Sequence, residues 1–189
     1  EFLDEAQVRA CNAYSKLELP ETPLLLLEFH GSKASVAEQA EIFGEIAADV
    51  GGTNFAWTAS PEERTKLWQA RHDVYWAALA YRPGASAVAT DVCVPISRLA
   101  ECVLAATAKM AELDLIAPIV GHVGDGNFHT SILVMKDDAD EVARAETFVG
   151  WLNETAIGME GTCTGEHGVG QGKRAYLQAE LGDATDVMV

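Results

Sequence analysis

Apolar residues recur at helical spacing through Phe2–Lys16 (Phe2, Leu3, Ala6, Val8, Ala10 and Ala13), and Pro20 and Pro23 end the helix this predicts. The apolar run Leu24–His30, flanked by Pro and Gly, predicts a buried strand. Ser35 with Glu38 three residues on predicts a helix start, and Gly51-Gly52 its stop near Val50. Thr53–Thr58 alternates like a strand. Ser60-Pro61-Glu62-Glu63 combines a cap, a proline at the first helical position and acids at the positive dipole end, so a helix should run to about Leu79. Ser86–Val94 predicts a strand ended by Pro95, and Ser97 caps a helix reaching about Leu113. Leu115–His122 and Asn127–Met135 are apolar strands around a Gly-Asp-Gly turn, the strongest hairpin signal in the chain. Asp137 or Asp138 opens a helix to about Ile157, followed by a Gly-rich loop and a last helix. Helices interleaved with four or five strands predict an α+β fold, a ferredoxin-like α/β sandwich in two halves with a mostly antiparallel sheet. A doubly wound sheet fits the same alternation.

Composition narrows the picture. At 189 residues the chain fits one domain or two small ones. A hydrophobic share of 49% with 22% charged residues is globular rather than disordered. The net charge of −16 argues against nucleic acid or an anionic membrane as partner. An anionic substrate would therefore need a local cation. Four scattered cysteines, without a CxxC pair or a secretory leader, point to free thiols in a reducing compartment, the cytoplasm or a mitochondrial matrix. Leu24–Leu27, the longest apolar run, is too short to span a bilayer. The chain starts without Met inside a helical pattern and stops at Val189 in another, so a piece of a longer protein is expected.

Chemistry concentrates in Gly121–His129 (GHVGDGNFH) and Gly161–Lys173 (GTCTGEHGVGQGK), which hold three of the five histidines. His122 closes one strand of the hairpin and His129 opens the next. Facing positions on antiparallel strands lie about 5 Å apart, so two imidazoles can converge on one ion. Glu166, on the other segment, would complete a three-ligand set with open positions for substrate. The competing reading is a plain turn with two histidines capping strand ends; Asp125 suits that turn in either case. His167, next to Glu166, can act as acid or base while Glu166 ligates. A phosphate loop fails in detail, because neither GxxxxGK nor GxGxxG is met around Gly168–Lys173. Cys163 could serve as a nucleophile near His167, though lone cysteines more often pack in cores. Arg71, beside Leu67, Trp68 and Tyr75 on one helix face, either snorkels to water or clamps a carboxylate.

The two Gly-rich segments, with LWQARHDVYWA (Leu67–Ala77), TDVCVPISRL (Thr90–Leu99) and LLLLEFHGS (Leu24–Ser32), resemble the C-terminal domain of FAD-linked 2-hydroxy-acid dehydrogenases and oxidases. That family includes D-lactate dehydrogenases, glycolate oxidase flavin subunits and D-2-hydroxyglutarate dehydrogenases, and the D-lactate branch is the nearest in these motifs. The resemblance implies His122, His129 and Glu166 as ligands of zinc or manganese, and His167 as acceptor of the hydroxyl proton. It also implies Arg71 as anchor of the substrate carboxylate and Asn127 near the flavin. FAD would be held mainly by an N-terminal domain not contained in these residues, so the fragment alone should be inactive. The partners implied are a small 2-hydroxy acid and an external electron acceptor, with an oligomer allowed. Ser86–Val94 carries no second cation and Arg82 is the basic residue nearest to it, which favours a monocarboxylate, lactate before glycolate. A metal-dependent hydrolase and a non-catalytic cap domain are the competing classes. The loop bearing Glu166 is expected to be mobile and the ligand set incomplete.

Overall fold

The structure, a computed structural model, describes residues 1–183 and Thr185. The helical pattern at Val189 lies outside the described residues. In chain order the elements are β1 (Phe2–Leu3), α1 (Glu5–Ser15), β2 (Leu24–Leu25), α2 (Lys33–Asp49), α3 (Pro61–Tyr81), β3 (Ser86–Ala89), β4 (Val92–Cys93), α4 (Ile96–Glu112), β5 (Ile119–His122), β6 (Asn127–Val134) and α5 (Ala139–Gly158). A 3-10 turn at Arg174–Tyr176 then leads into α6 (Leu177–Leu181).

The strands form one six-stranded antiparallel sheet in the order β2-β1-β5-β6-β3, with β4 also on β6. The α+β antiparallel architecture expected from the pattern is present; the doubly wound alternative, which needs parallel neighbours, is not. All six strands join one sheet rather than dividing between two. β3 and β4 share a single register against β6, from Ser86↔Val134 to Cys93↔Asn127, so Ser86–Cys93 is one line, close to the expected strand. Thr90 stitches the break in that line through its N–H to Thr130 O (3.0 Å) and a hydroxyl contact with Thr130 (3.0 Å).

Because side chains alternate along each strand, the register sorts the sheet into two faces. Val92, Ile119, Phe128, Ile132 and Val134 point one way and bury against α4 and α5. Leu99, Cys102, Ala106 and Met110 on α4, and Ala145, Phe148, Leu152 and Ala156 on α5, recur every three or four residues and supply the matching stripes. The other face carries Leu3, Asp91, Asn127, His122 and His129. α1 closes on the C-terminal part of α3, where Gln7 Nε2 donates to Val74 O (3.0 Å) and the Cys11 thiol to Ala70 O (3.4 Å). Buried Ala10, Ala70, Ala77 and Ala78 are small and suit close helix packing.

Five expectations for local structure change. Two are helix starts: α2 is capped by Ser32, three residues before Ser35, and α4 begins at Ile96 after Pro95 with no side-chain cap, so Ser97 lies inside it. Phe2–Leu3 is a strand, because Asp4 caps α1 from outside by accepting from Gln7 N (2.7 Å) and the two residues before it pair with both β2 and β5. Leu24–His30 contributes only the two-residue edge strand β2, with Leu25 exposed. Thr53–Thr58 forms no strand, since alternation without a pairing partner leaves backbone groups to water.

The chain divides into two compact units: Glu1–Leu25 together with the chain from Ala70 onward, and the inserted stretch Leu26–Gln69. The inserted unit holds α2, capped by Ser32, whose hydroxyl accepts from Ser35 N (3.2 Å). Its packing rests on Phe29, Phe43 and Phe55, with ring centroids 6.0 and 5.5 Å apart. No described helix is long and apolar enough to cross a membrane.

Arg82 is held by Leu133 O (2.7 Å) and by the buried Glu141 carboxylate, which also accepts from Met135 N (2.8 Å). These two partners, Arg82 first, hold the Glu141 carboxyl below its ordinary value despite burial. A depressed folded value means stability that is present above the unfolded pKa of about 4.3 and lost as pH falls through the folded value. The loss of stability in Glu141→Gln should therefore be constant from neutral pH to about 5 and shrink in more acidic solution. Urea unfolding of both proteins across that range checks it; a gap that does not shrink would refute the pairing.

Candidate active site and metal centre

The β5–β6 register pairs His122 with Asn127 and Val120 with His129. The two histidines are thus diagonal rather than facing, yet on the same face, with ring centroids 5.7 Å apart and planes at 84°. Each ring is tied at Nδ1. His122 Nδ1 lies 2.9 Å from Glu1 Oε1, and His129 Nδ1 lies 3.1 Å from Thr90 O. A carbonyl only accepts, so the His129 proton sits on Nδ1 and its Nε2 keeps a lone pair. Burial lowers the pKa of His129, against the opposing pull of Thr90 O, Asp91 and Glu166, which favours the neutral ring a ligand needs.

Both Nε2 atoms point to one place: Glu166 Oε1 is 3.1 Å from each. Burial works upward on the Glu166 carboxyl, but His122, His129 and His167 outweigh it and hold it below its ordinary value. At His129 a neutral imidazole and a carboxylate are then acceptors facing each other, which is unfavourable unless a cation lies between them, whereas His122 Nε2 is hydrogen-bonded to Glu166 Oε1 (3.1 Å). His129 Nε2 is buried and has no hydrogen-bond partner. The His122–His129–Glu166 ligand atoms all lie within 4.8 Å of one another. The residues fit a divalent ion with borderline N/O preferences, such as zinc or manganese.

The loop carrying Glu166 is placed by a residue the sequence reading passed over. Asp91 is 3% exposed and sits where the β3–β4 line is interrupted. Its Oδ2 accepts from the backbone N–H of Gly165 (2.9 Å), Glu166 (3.1 Å) and His167 (2.9 Å), and from Thr164 Oγ1 (3.3 Å). Its Oδ1 accepts from Asn127 Nδ2 (2.9 Å). Lys173 Nζ donates to Asp91 O (2.6 Å) and lies 3.5 Å from Oδ2. Burial pushes the Asp91 carboxyl up, but these donors hold it far below the carboxylate range. Two glycines let the loop approach. A Cβ at Gly161 would meet Cys93 O at 2.2 Å, where Thr162 pairs with Cys93. A Cβ at Gly165 would meet Asn127 Nδ2 at 1.8 Å.

The loop expected to be mobile is hydrogen-bonded along Thr164–His167 to Asp91, and its Glu166 converges with His122 and His129. The reason is that its successive N–H groups form a nest whose anion is internal. The same fact disposes of the phosphate-loop reading. One sign was visible: an aspartate in an apolar strand, Val88–Val94, where it is disfavoured. Asp91, His129 and His167 also lie close enough to share an ion. With the Asp91 oxygens already surrounded by donors, the set with Glu166 is the better cage.

His167 stands at the open side, 64% exposed, its ring edge-on to His129 with centroids 5.2 Å apart and its Nε2 3.6 Å from Glu166 Oε1. Arg71 reaches the same cluster through Glu1, whose Oε2 lies 3.0 Å from Arg71 Nε. Asn127 is buried; its Nδ2 donates to Asp91 Oδ1 and Val92 O (2.8 Å), which braces Asp91, and its Oδ1 has no hydrogen-bond partner. Cys163 is fully buried, and burial first, then its contact with Glu180, pushes its thiol up to about 11, the opposite of an activated nucleophile.

Comparison with known proteins places this geometry. The family model for FAD linked oxidases, C-terminal domain, matches residues 1–188. The chain is 50% identical over its whole length to the probable mitochondrial D-lactate dehydrogenase of Danio rerio, of which it covers 38%. It is 41% identical over 96% of its length to the mitochondrial D-lactate dehydrogenase [cytochrome] of Arabidopsis thaliana, covering 32% of that protein. It is 32% identical over 96% of its length to the glycolate oxidase subunit GlcD of Bacillus subtilis, covering 38%. The chain thus spans well under half the length of these relatives, and by its family match it belongs to the FAD-linked oxidases, as their C-terminal domain.

Proposed function

We propose that this chain supplies the metal- and substrate-binding half of a flavin-dependent D-2-hydroxy-acid dehydrogenase, oxidising D-lactate to pyruvate, with glycolate the next substrate. The observation that carries the reading is the pair of Nε2 atoms, each 3.1 Å from Glu166 Oε1, behind Nδ1 atoms tied to Glu1 and Thr90. His122, His129 and Glu166 would hold a divalent ion, zinc or manganese. What such an ion supplies is Lewis acidity toward the substrate hydroxyl and one carboxylate oxygen. What bound FAD supplies is acceptance of the hydride from the α-carbon, the electrons then leaving to an external acceptor. The Gly-rich loop of this chain does not suit a dinucleotide, since Asp91 takes its N–H groups. FAD is accordingly assigned to a domain outside these residues.

Arg71 anchors the substrate carboxylate, the local cation that a strongly acidic chain requires. His167 accepts the hydroxyl proton at the exposed side of the cluster, with Glu166 beside it to stabilise the imidazolium that forms. Asp91 and Asn127 keep Glu166 and His167 in place. Arg82 lies against Glu141 and Lys173 against Asp91.

The test is anaerobic titration of the full-length protein. D-lactate should bleach its yellow flavin spectrum, and 2-hydroxyglutarate should do so far less efficiently. A flavin reduced preferentially by the dicarboxylate, or no flavin at all, would sink the reading.

A further inference from the structure

Glu1 enters the site through the sheet. β1 runs antiparallel to β5 with Phe2 opposite Gly121 and Leu3 opposite Val120, so Glu1 continues the ladder opposite His122. Cross-strand neighbours on one face are in contact range, and the two side chains meet. Glu1 Oε1 is 2.9 Å from His122 Nδ1 and Oε2 is 3.0 Å from Arg71 Nε. The side chain is 14% exposed. One carboxylate thus bridges a ring from the hairpin and a guanidinium from α3.

The geometry points to Glu1 as a positioning residue that links the ion-binding imidazole of His122 to the substrate-anchoring guanidinium of Arg71. The inference rests on the proposed function and goes beyond it, because it assigns a role to a residue that touches neither ion nor substrate. With the Nδ1 proton turned toward Glu1 Oε1, the Nε2 that otherwise hydrogen-bonds Glu166 Oε1 (3.1 Å) is left to face an ion. A carboxylate behind a ligating histidine fixes the ring's tautomer and orientation and raises its basicity. The second oxygen forms an ion pair with Arg71, 3.0 Å from its Nε, which keeps the guanidinium beside His122. The distance between the two substrate-holding groups is then fixed by one side chain. The ladder fixes that side chain in turn, since a one-residue slip of β1 would turn Glu1 to the opposite face.

Glu1→Gln keeps the volume and removes the charge. Its single carbonyl oxygen can serve His122 or Arg71 but not both, and its amide N–H2 would face a donor at the other. In the full-length, flavin-loaded protein, zinc affinity measured by chelator competition should fall about 10–100-fold. KM for D-lactate should rise, and Glu1→Gln should add little further to the KM of Arg71→Met, because both changes release the same guanidinium. Zinc affinity within twofold of wild type, or fully additive KM effects, would overturn the assignment; a lower melting temperature without these shifts would show a merely structural role and overturn it too. Should Glu1→Gln not fold, Glu1→Asp carries the same test, since a shorter carboxylate cannot span both partners. His122→Ala separates the layers. If it leaves zinc affinity unchanged, the metal reading itself fails; if it abolishes binding while Glu1→Gln does not weaken it, only the role of Glu1 fails.

Discussion

Replacing Asp91 with alanine is expected to dissolve the anchored loop and with it the site. The substitution leaves the N–H groups of Gly165, Glu166 and His167 without their common acceptor and the Lys173 ammonium without its nearest carboxylate. Breaking a buried, fully paired charge cluster from one side costs roughly 3–5 kcal/mol, because the remaining groups stay desolvated and unpaired. Part of that cost is recovered if the loop opens to water, and an open loop no longer aims Glu166 at the histidines. The expected result is faster amide exchange at residues 164–168, loss of bound metal and at least ~100-fold lower turnover, at 1.36 kcal/mol per tenfold. Asp91→Asn should be milder, since one oxygen can still face the loop N–H groups if the Asn127 amide turns over. Gly165→Ala should resemble Asp91→Ala from the other side, as its Cβ would lie 2.5 Å from Asp91 Oδ1. Wild-type exchange protection and metal content in Asp91→Ala would refute this account.

His129→Ala is the second large effect. His129 is the more enclosed of the two imidazoles, 13% exposed against 25% for His122, and its Nε2 is the buried atom without a hydrogen bond. Removing it takes away one of three ligands and leaves Glu166 with one fewer partner for its charge. Lewis-acid stabilisation of several kcal/mol depends on the intact set, so kcat should fall on the order of 10³-fold. Metal content by elemental analysis should drop toward zero while the melting temperature changes little. His129→Gln should not restore it, because an amide lacks the imidazole's basicity. Full metal occupancy with near-normal kcat in His129→Ala would remove the metal centre from the mechanism.

Much of this arrangement could be read in the residues, and the reasons for the rest are physical. The long helices α3 and α5 announce themselves through their caps, which are local, while α4 does so in its extent but not in its cap. The β5–β6 hairpin does so through its Gly-Asp-Gly turn. Phe2–Leu3 does not, because two residues carry no period and their strand exists only by pairing with β2 and β5. His122, His129 and Glu166 stand out as a residue type on Gly-rich turns, yet their diagonal rather than facing geometry follows from a register that no local pattern contains. Glu1 was silent for a related reason, and Asp91 showed only as an acid within an apolar strand. Each is an ordinary acid in its own segment and acquires its role from groups far along the chain, at positions 164–173 for one and at 71 and 122 for the other.

Residue identity and short-range spacing were enough to say which atoms can ligate an ion, move a proton or hold a carboxylate, since that chemistry belongs to the side chain wherever it sits. They were also enough to say which segments are helical, because helix hydrogen bonds close within one segment. Which Nε2 atoms face Glu166, what lies at the Nδ1 atoms, and what the N–H groups of a glycine-rich loop bond to are decided by pairings between segments far apart in the chain, such as Glu1 with His122 and Asp91 with Gly165. Those contacts are made by the antiparallel register and by one buried carboxylate with more donors around it than water could readily replace.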